Sequence, residues 1–209
     1  MGGVRIECPV TTVCICGMSD TLGKLFGSAA RVKLLRLFLL NPADTFTLDD
    51  AAARARVSHT EARRDIAAFT RIKLTTRAAR GRGKHYTLNG DFPYLTALQN
   101  LFLNAPAQSE EVYSRIRQAG AIKLIIVSGI FLGEWNSNLD LFVVGERIHD
   151  RKLKNNVRVL ESQMGKELRY AYLSTEEFLY RLNMNDHLVR DVFDYPHRII
   201  FDKLDIGLK

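Results

Sequence analysis

The sequence predicts an α+β protein in two parts, and three observations carry that reading. Residues 27–74 hold apolar positions at helical spacing, punctuated by capping and turn residues, and the last helix runs into a short basic ribbon. From residue 109 onward, short apolar strands alternate with helices. The charge also divides the chain. Residues 1–104 carry 15 Lys or Arg against 8 Asp or Glu, and residues 105–209 carry 15 of each, so the whole net charge of +7 sits in the first half. A polyanion is the natural partner of that half, through phosphate neutralisation and counterion release.

The first 20 residues are expected to be an extension, disordered, or not translated at all if synthesis starts at Met18. All three cysteines, Cys8, Cys14 and Cys16, fall there, and their spacing without a nearby His makes a poor zinc ligand set, so no metal is expected. The stretch is also a poor secretory signal: a lone Arg5 precedes a short apolar run that threonines interrupt. A cysteine-free body suits a reducing cytoplasm, which is the expected location. No apolar run approaches the roughly 20 residues of a membrane span, and the longest is broken by Ser128 and Gly129.

In residues 27–40, Val32, Leu35, Leu39 and Leu34, Leu37, Phe38 form a broad buried helical face, with Ser28 as N-cap and Asn41-Pro42 as the stop. Thr45-Phe46 suits a very short strand. Residues 47–55 are a second helix, with Thr47 and Asp50 in capping-box spacing, and Arg56-Val57 makes the turn. Ser58 and Glu61 form a second capping box. The helix they begin has Ala62, Ile66 and Phe69 inside, with Leu74 beyond, and His59, Thr60, Arg63, Arg64 and Arg71 at its start or outer side. Two short strands follow around Arg80, Gly81, Arg82 and Gly83, a hairpin signal. Arg63, Arg64, Arg71, Lys73, Arg77, Arg80, Arg82 and Lys84 are set against a single acid, Asp65, in this region. A helix sized for a major groove beside a cationic hairpin sized for the phosphate backbone is a winged helix-turn-helix.

In element order and charge placement, residues 27–90 resemble the DNA-binding domain of small bacterial and archaeal winged helix transcriptional regulators of the arsenical-repressor-like kind. The resemblance implies duplex DNA as partner, with His59, Thr60, Arg63 and Arg64 approaching bases or phosphates, and with Arg77, Arg80, Arg82 and Lys84 serving from the ribbon. Arg54 and Arg56 are further candidates for phosphate contacts. For any one of these arginines, plain solvation is the competing account. The helical stretch 91–104 has Leu95, Leu98, Leu101 and Phe102 on one face; it fits either a homodimer contact or an internal core helix. Residues 105–108 mark the boundary, which gives a winged helix domain over 21–105 and a second domain over 106–209.

In the second half, helix is expected over 109–118, 150–164, 174–182 and 187–193, and strand over 122–127, 139–144, 167–173 and 198–201. Residues 128–145, SGIFLGEWNSNLDLFVVG, resemble the signature of the minimal nucleotidyltransferase fold of the polymerase beta type, through Gly129, Ser137, Asp140 and the trailing Val143-Val144-Gly145. That family uses a Gly-Ser pair to hold nucleotide phosphates and paired carboxylates, with a third, to hold two divalent ions. Here Ile130 replaces the serine, Asn138 replaces the first aspartate, and no carboxylate occupies the middle of 167–173, which reads Leu168, Arg169, Tyr170, Ala171, Tyr172. The resemblance therefore implies a small α/β shell without catalysis, metal or obligatory cofactor. Ser128, Gly129, Asn138 and Asp140 would be a nucleotide-binding remnant, or else simple caps of strands and turns. His85, His149, His187 and His197 show no ligand spacing, and Trp135 would cover a pocket or anchor its loop. The expected function is a DNA-binding regulator whose second domain senses a ligand or joins a protein partner. The rivals are an active nucleotidyltransferase and a protein-assembly module.

Overall fold

The computed structural model describes residues 18–78, 83–103, 109–134 and 137–205, with the side chains of 18–20 and 103 left aside. Helix and strand are mixed in an α+β arrangement. Helix α1 (Met18–Leu25) begins inside the expected N-terminal extension and packs Leu22 into the core, so the extension does not reach residue 20 as expected; the cysteines lie outside the described residues. Helix α2 (Ala29–Leu39) starts where Ser28 accepts a hydrogen bond from the Arg31 backbone N–H. It buries Leu34, Leu35, Leu37, Phe38 and Leu39, each contributing roughly 1.5–3 kcal/mol of apolar burial.

Strand β1 (Thr45–Thr47), helix α3 (Leu48–Ala55) and helix α4 (His59–Arg71) follow, and both capping boxes form as the spacing predicts. Strands β2 (Thr75–Ala78) and β3 (His85–Leu88) pair antiparallel, with Thr75 opposite Leu88 and Ala78 opposite His85. β1 adds to the other edge of β3, giving the order β1-β3-β2. Helix α5 (Leu95–Leu103) lies on α2: Gln99 donates to Leu39 O at 3.1 Å and Phe102 stacks on Phe26. Leu95, Leu98 and Phe102 face the core, but Leu101 is 41 % exposed, contrary to expectation. The i, i+3, i+7 run already fills the inner stripe, which turns Leu101 to its edge.

The second half is a four-stranded sheet of order β6-β5-β4-β7. Its elements are α6 (Ser109–Ile116), β4 (Ala121–Ser128), β5 (Leu141–Glu146), α7 (Asp150–Met164), β6 (Tyr170–Leu173), α8 (Thr175–Asn183), α9 (His187–Asp194) and β7 (His197–Asp202). β4 runs antiparallel to β5 and β7, and β5 runs parallel to β6. Because strand side chains alternate, Ile125, Val127, Leu141 and Val143 meet α6 and α7, while Leu124, Ile126, Phe142 and Val144 meet α8 and α9. Coverage on both faces explains the uninterrupted apolar run in β4. The strand expected over 167–173 joins the ladder only at Tyr170, and the one expected from 139 only at Leu141; just before it, Asp140 N–H donates to Arg169 O at 2.7 Å and Asp140 O accepts from Ser128 N at 3.0 Å.

The two halves meet where α7 ends against α2. Gly165 caps α7 at φ +74°, and a Cβ there would lie 2.6 Å from the Arg36 backbone. Asn41 Nδ2 donates to Gly165 O and Arg36 Nη1 to Gln163 O, both at 2.6 Å. Among the described residues no helix is long and apolar enough to cross a membrane.

Candidate functional site

The placement of α4 starts with the turn before it. Arg56 closes α3 at φ 51°, a left-handed conformation that costs a non-glycine residue roughly 1–2 kcal/mol, and its N–H returns to Ala52 O and Ala53 O. Ser58 then opens α4: its hydroxyl accepts from Glu61 N at 3.2 Å, and its own N–H reaches Glu61 Oε2 at 3.0 Å. The Ser58 hydroxyl and N–H hold the Glu61 carboxyl below the usual carboxylate range. One turn later comes Asp65, fully buried on the inner face of α4. Arg31 of α2 grips it with Nε at 3.1 Å and Nη2 at 2.9 Å, and sends Nη1 to Phe26 O at 2.8 Å. α4 is thereby tied to α2 by a charge pair as well as by Ala62, Ile66 and Phe69.

Its outer side forms one wall of a groove of about 720 Å³, whose other wall is the β2–β3 ribbon. Arg63 and Arg71 line it from the helix, Arg77 and Lys84 from the ribbon, with Thr70 and Tyr86 between them and, among the described residues, no acidic side chain on the lining. Such a trough can take a chain of phosphates, since four cations from two elements face it and Thr70 and Tyr86 can hydrogen-bond backbone oxygens.

The sequence-derived DNA residues distribute unevenly around this groove. Arg63, Arg77 and Lys84 line it. Thr60 is exposed on the first turn of α4, and His59 beside it places Nε2 3.0 Å from Asp49 Oδ1. Arg64 turns toward Asp65, Nε at 3.3 Å from Oδ1, so part of its charge is answered within the fold. Arg80 and Arg82 lie outside the described residues. Arg54 and Arg56 line a different cavity, toward the second half. Arg71 and Tyr86 were not among the sequence-derived site residues. Arg71 stands two helical turns beyond Arg63 on the same face, a spacing that marks it; Tyr86 becomes visible only when β3 pairs with β2.

In the second half, the segment around Ser128 to Asp140 closes on itself. Ser128 and Ser137 both donate to Leu139 O, at 2.5 and 2.6 Å. Gly129 sits at φ +55° under the Asp140 carboxylate, where any Cβ would collide with it. Asp140, 2 % exposed, accepts from Ile130 N at 3.1 Å, Arg169 N at 2.9 Å, Arg169 Nε at 3.0 Å and Arg169 Nη2 at 3.1 Å. Asn138 is exposed and donates to Asp191 at 3.3 Å. A small cavity of about 260 Å³ adjoins Asp140, lined also by Ile130, Glu134, Lys166, Glu167 and Arg169. Two-metal chemistry needs several converging carboxylates with free lone pairs. The donor set does not fit it: Asp140 is engaged by four donors, and an arginine stands where a further acid would be needed. Among the described residues no group of three or more His, Cys, Asp or Glu could hold a metal ion. Trp135 lies outside the described residues.

No protein-family model, curated protein or solved structure matches this chain.

Proposed function

We propose that this chain is a DNA-binding transcriptional regulator of the cytoplasm, with a winged helix-turn-helix domain over 21–105 and a nucleotidyltransferase-like domain over 106–209 that binds a ligand or partner instead of catalysing transfer. The observation that carries the proposal is the groove between α4 and the ribbon, lined by Arg63, Arg71, Arg77 and Lys84 and, among the described residues, by no acid. In this reading α4, about 20 Å long, lies in the major groove, and the bordering phosphate strand passes between helix and ribbon. Thr60 at the helix start is then the residue closest to base edges, and the four cations fix register.

Arg63→Ala, Arg77→Ala and Lys84→Ala each weaken duplex DNA binding across sequences and lower the salt slope by about one, as measured by fluorescence anisotropy. Folded protein that ignores DNA at low salt ends the proposal. The rival enzyme reading requires Asp140 to abandon Arg169 for metal. On the present reading, no magnesium-dependent label passes from a nucleoside triphosphate to any acceptor. Asp140→Ala acts instead on stability, lowering it by roughly 3 kcal/mol in urea unfolding, because the Ile130 and Arg169 donors lose their buried acceptor. Label transfer that vanishes in Asp140→Ala would establish the rival.

A further inference from the structure

Between the two halves lies a second cationic concavity, of about 440 Å³, outside both the DNA-facing groove and the Asp140 site. Its floor is apolar, from Leu37 of α2, Ala53 of α3 and Gly165 at the end of α7. Its charged lining comes from both halves: Arg54 from the last turn of α3 and Arg56 from its C-cap, and Arg158, Glu161, Lys166 and Glu167 from α7 and the segment after it. The acids are already engaged. Glu167 pairs with Arg54 at 3.2 Å across the boundary, and Glu161 accepts the Leu168 N–H at 3.0 Å. Arg56 and Arg158 have neither an ion pair nor a side-chain hydrogen bond among the described residues, although they face the same space.

Two exposed arginines on a convex surface would need only water. Here both line one cavity from separate halves, together with Leu37, Ala53 and Gly165, in a volume that suits a small molecule. Guanidinium groups recognise carboxylate and phosphate through paired N–H donors.

We propose that this cleft binds a small organic anion, phosphate- or carboxylate-bearing with an apolar body, held between Arg56 and Arg158. The apolar body rests on Leu37 and Ala53, and the anionic end spans the two guanidinium groups. Arg56 is the C-cap of α3 and stands two residues before the Ser58 cap of α4, so a ligand bridging it to α7 fixes the helix-turn-helix corner against the second half. That regulatory consequence rests on the DNA-binding reading; the binding itself does not.

The test is calorimetry on the full chain without DNA, titrating adenosine monophosphate, citrate and inorganic phosphate in turn. Binding of adenosine monophosphate or citrate is expected, tighter than that of inorganic phosphate, and weakened by about tenfold or more in both Arg158→Ala and Arg56→Ala. It should be unchanged in Arg63→Ala, and an unaltered melting temperature for the exposed Arg158→Ala shows that the loss is local. Nucleotide binding without citrate binding assigns phosphate, and the reverse assigns carboxylate. No binding of any probe at millimolar concentration overturns the proposal, as does binding that survives Arg158→Ala or disappears in Arg63→Ala. Retained anion binding in a protein that fails to bind DNA would refute the regulator reading and leave the cleft assignment standing.

Discussion

Two buried aspartates each hold an arginine that the sequence would have left to solvent. Asp65 was the lone acid in a basic stretch, and a solvated side chain would have been the ordinary outcome. Instead it is buried and held by Arg31, which fixes α4 on α2 and draws Arg64 inward. Asp65→Asn therefore costs about 2 kcal/mol in urea unfolding, because the half-buried Arg31 guanidinium loses its counter-charge at a fully buried position. A change below about 0.5 kcal/mol, the size expected of an ordinary surface substitution, would contradict that role. Asp140 is the second case. The sequence identified it as the surviving member of a carboxylate pair, but gave no sign that Arg169, in the segment expected to supply another acid, would close around it.

The elements themselves were largely legible. Helical spacing and three-residue cap spacings act over a few positions, so α2, α3, α4 and α7 fall where local signals put them, and the Ser58 box forms with its predicted partner. Contacts made across the chain were not legible: the Tyr86 wall of the groove, the Asp65–Arg31 pair and the docking of Gly165 on Arg36 depend on tertiary placement. The capping boxes also leave a pH signature. Glu61 and Asp50 have folded pKa values lowered by their hydroxyl and N–H donors. Their stabilisation is complete above the unfolded carboxylate range of about 4 and is lost as pH falls through the lower folded values. Glu61→Gln keeps the cap geometry without the titration. Its melting temperature should fall less steeply than that of the parent below about pH 4. Superimposable acid limbs would assign the pH dependence to other carboxylates.

At the scale of the whole molecule, a basic unit of helices and ribbon is locked to a sheet of balanced charge by Gly165, Asn41 and Arg36, with a cationic cleft beside the lock. The proposed division of labour follows from that arrangement: the first half meets a polyanion, and the second supplies the wall against which the helix-turn-helix corner is held. The most direct measurement is the salt dependence of the full chain's affinity for duplex DNA, titrated between low and physiological ionic strength. With the four groove cations each neutralising one phosphate, the log–log slope is about −3.6, and Arg63→Ala, Arg77→Ala and Lys84→Ala each flatten it by about one unit. A slope near zero, or a steep slope that none of these substitutions alters, would contradict the assignment of this groove to DNA.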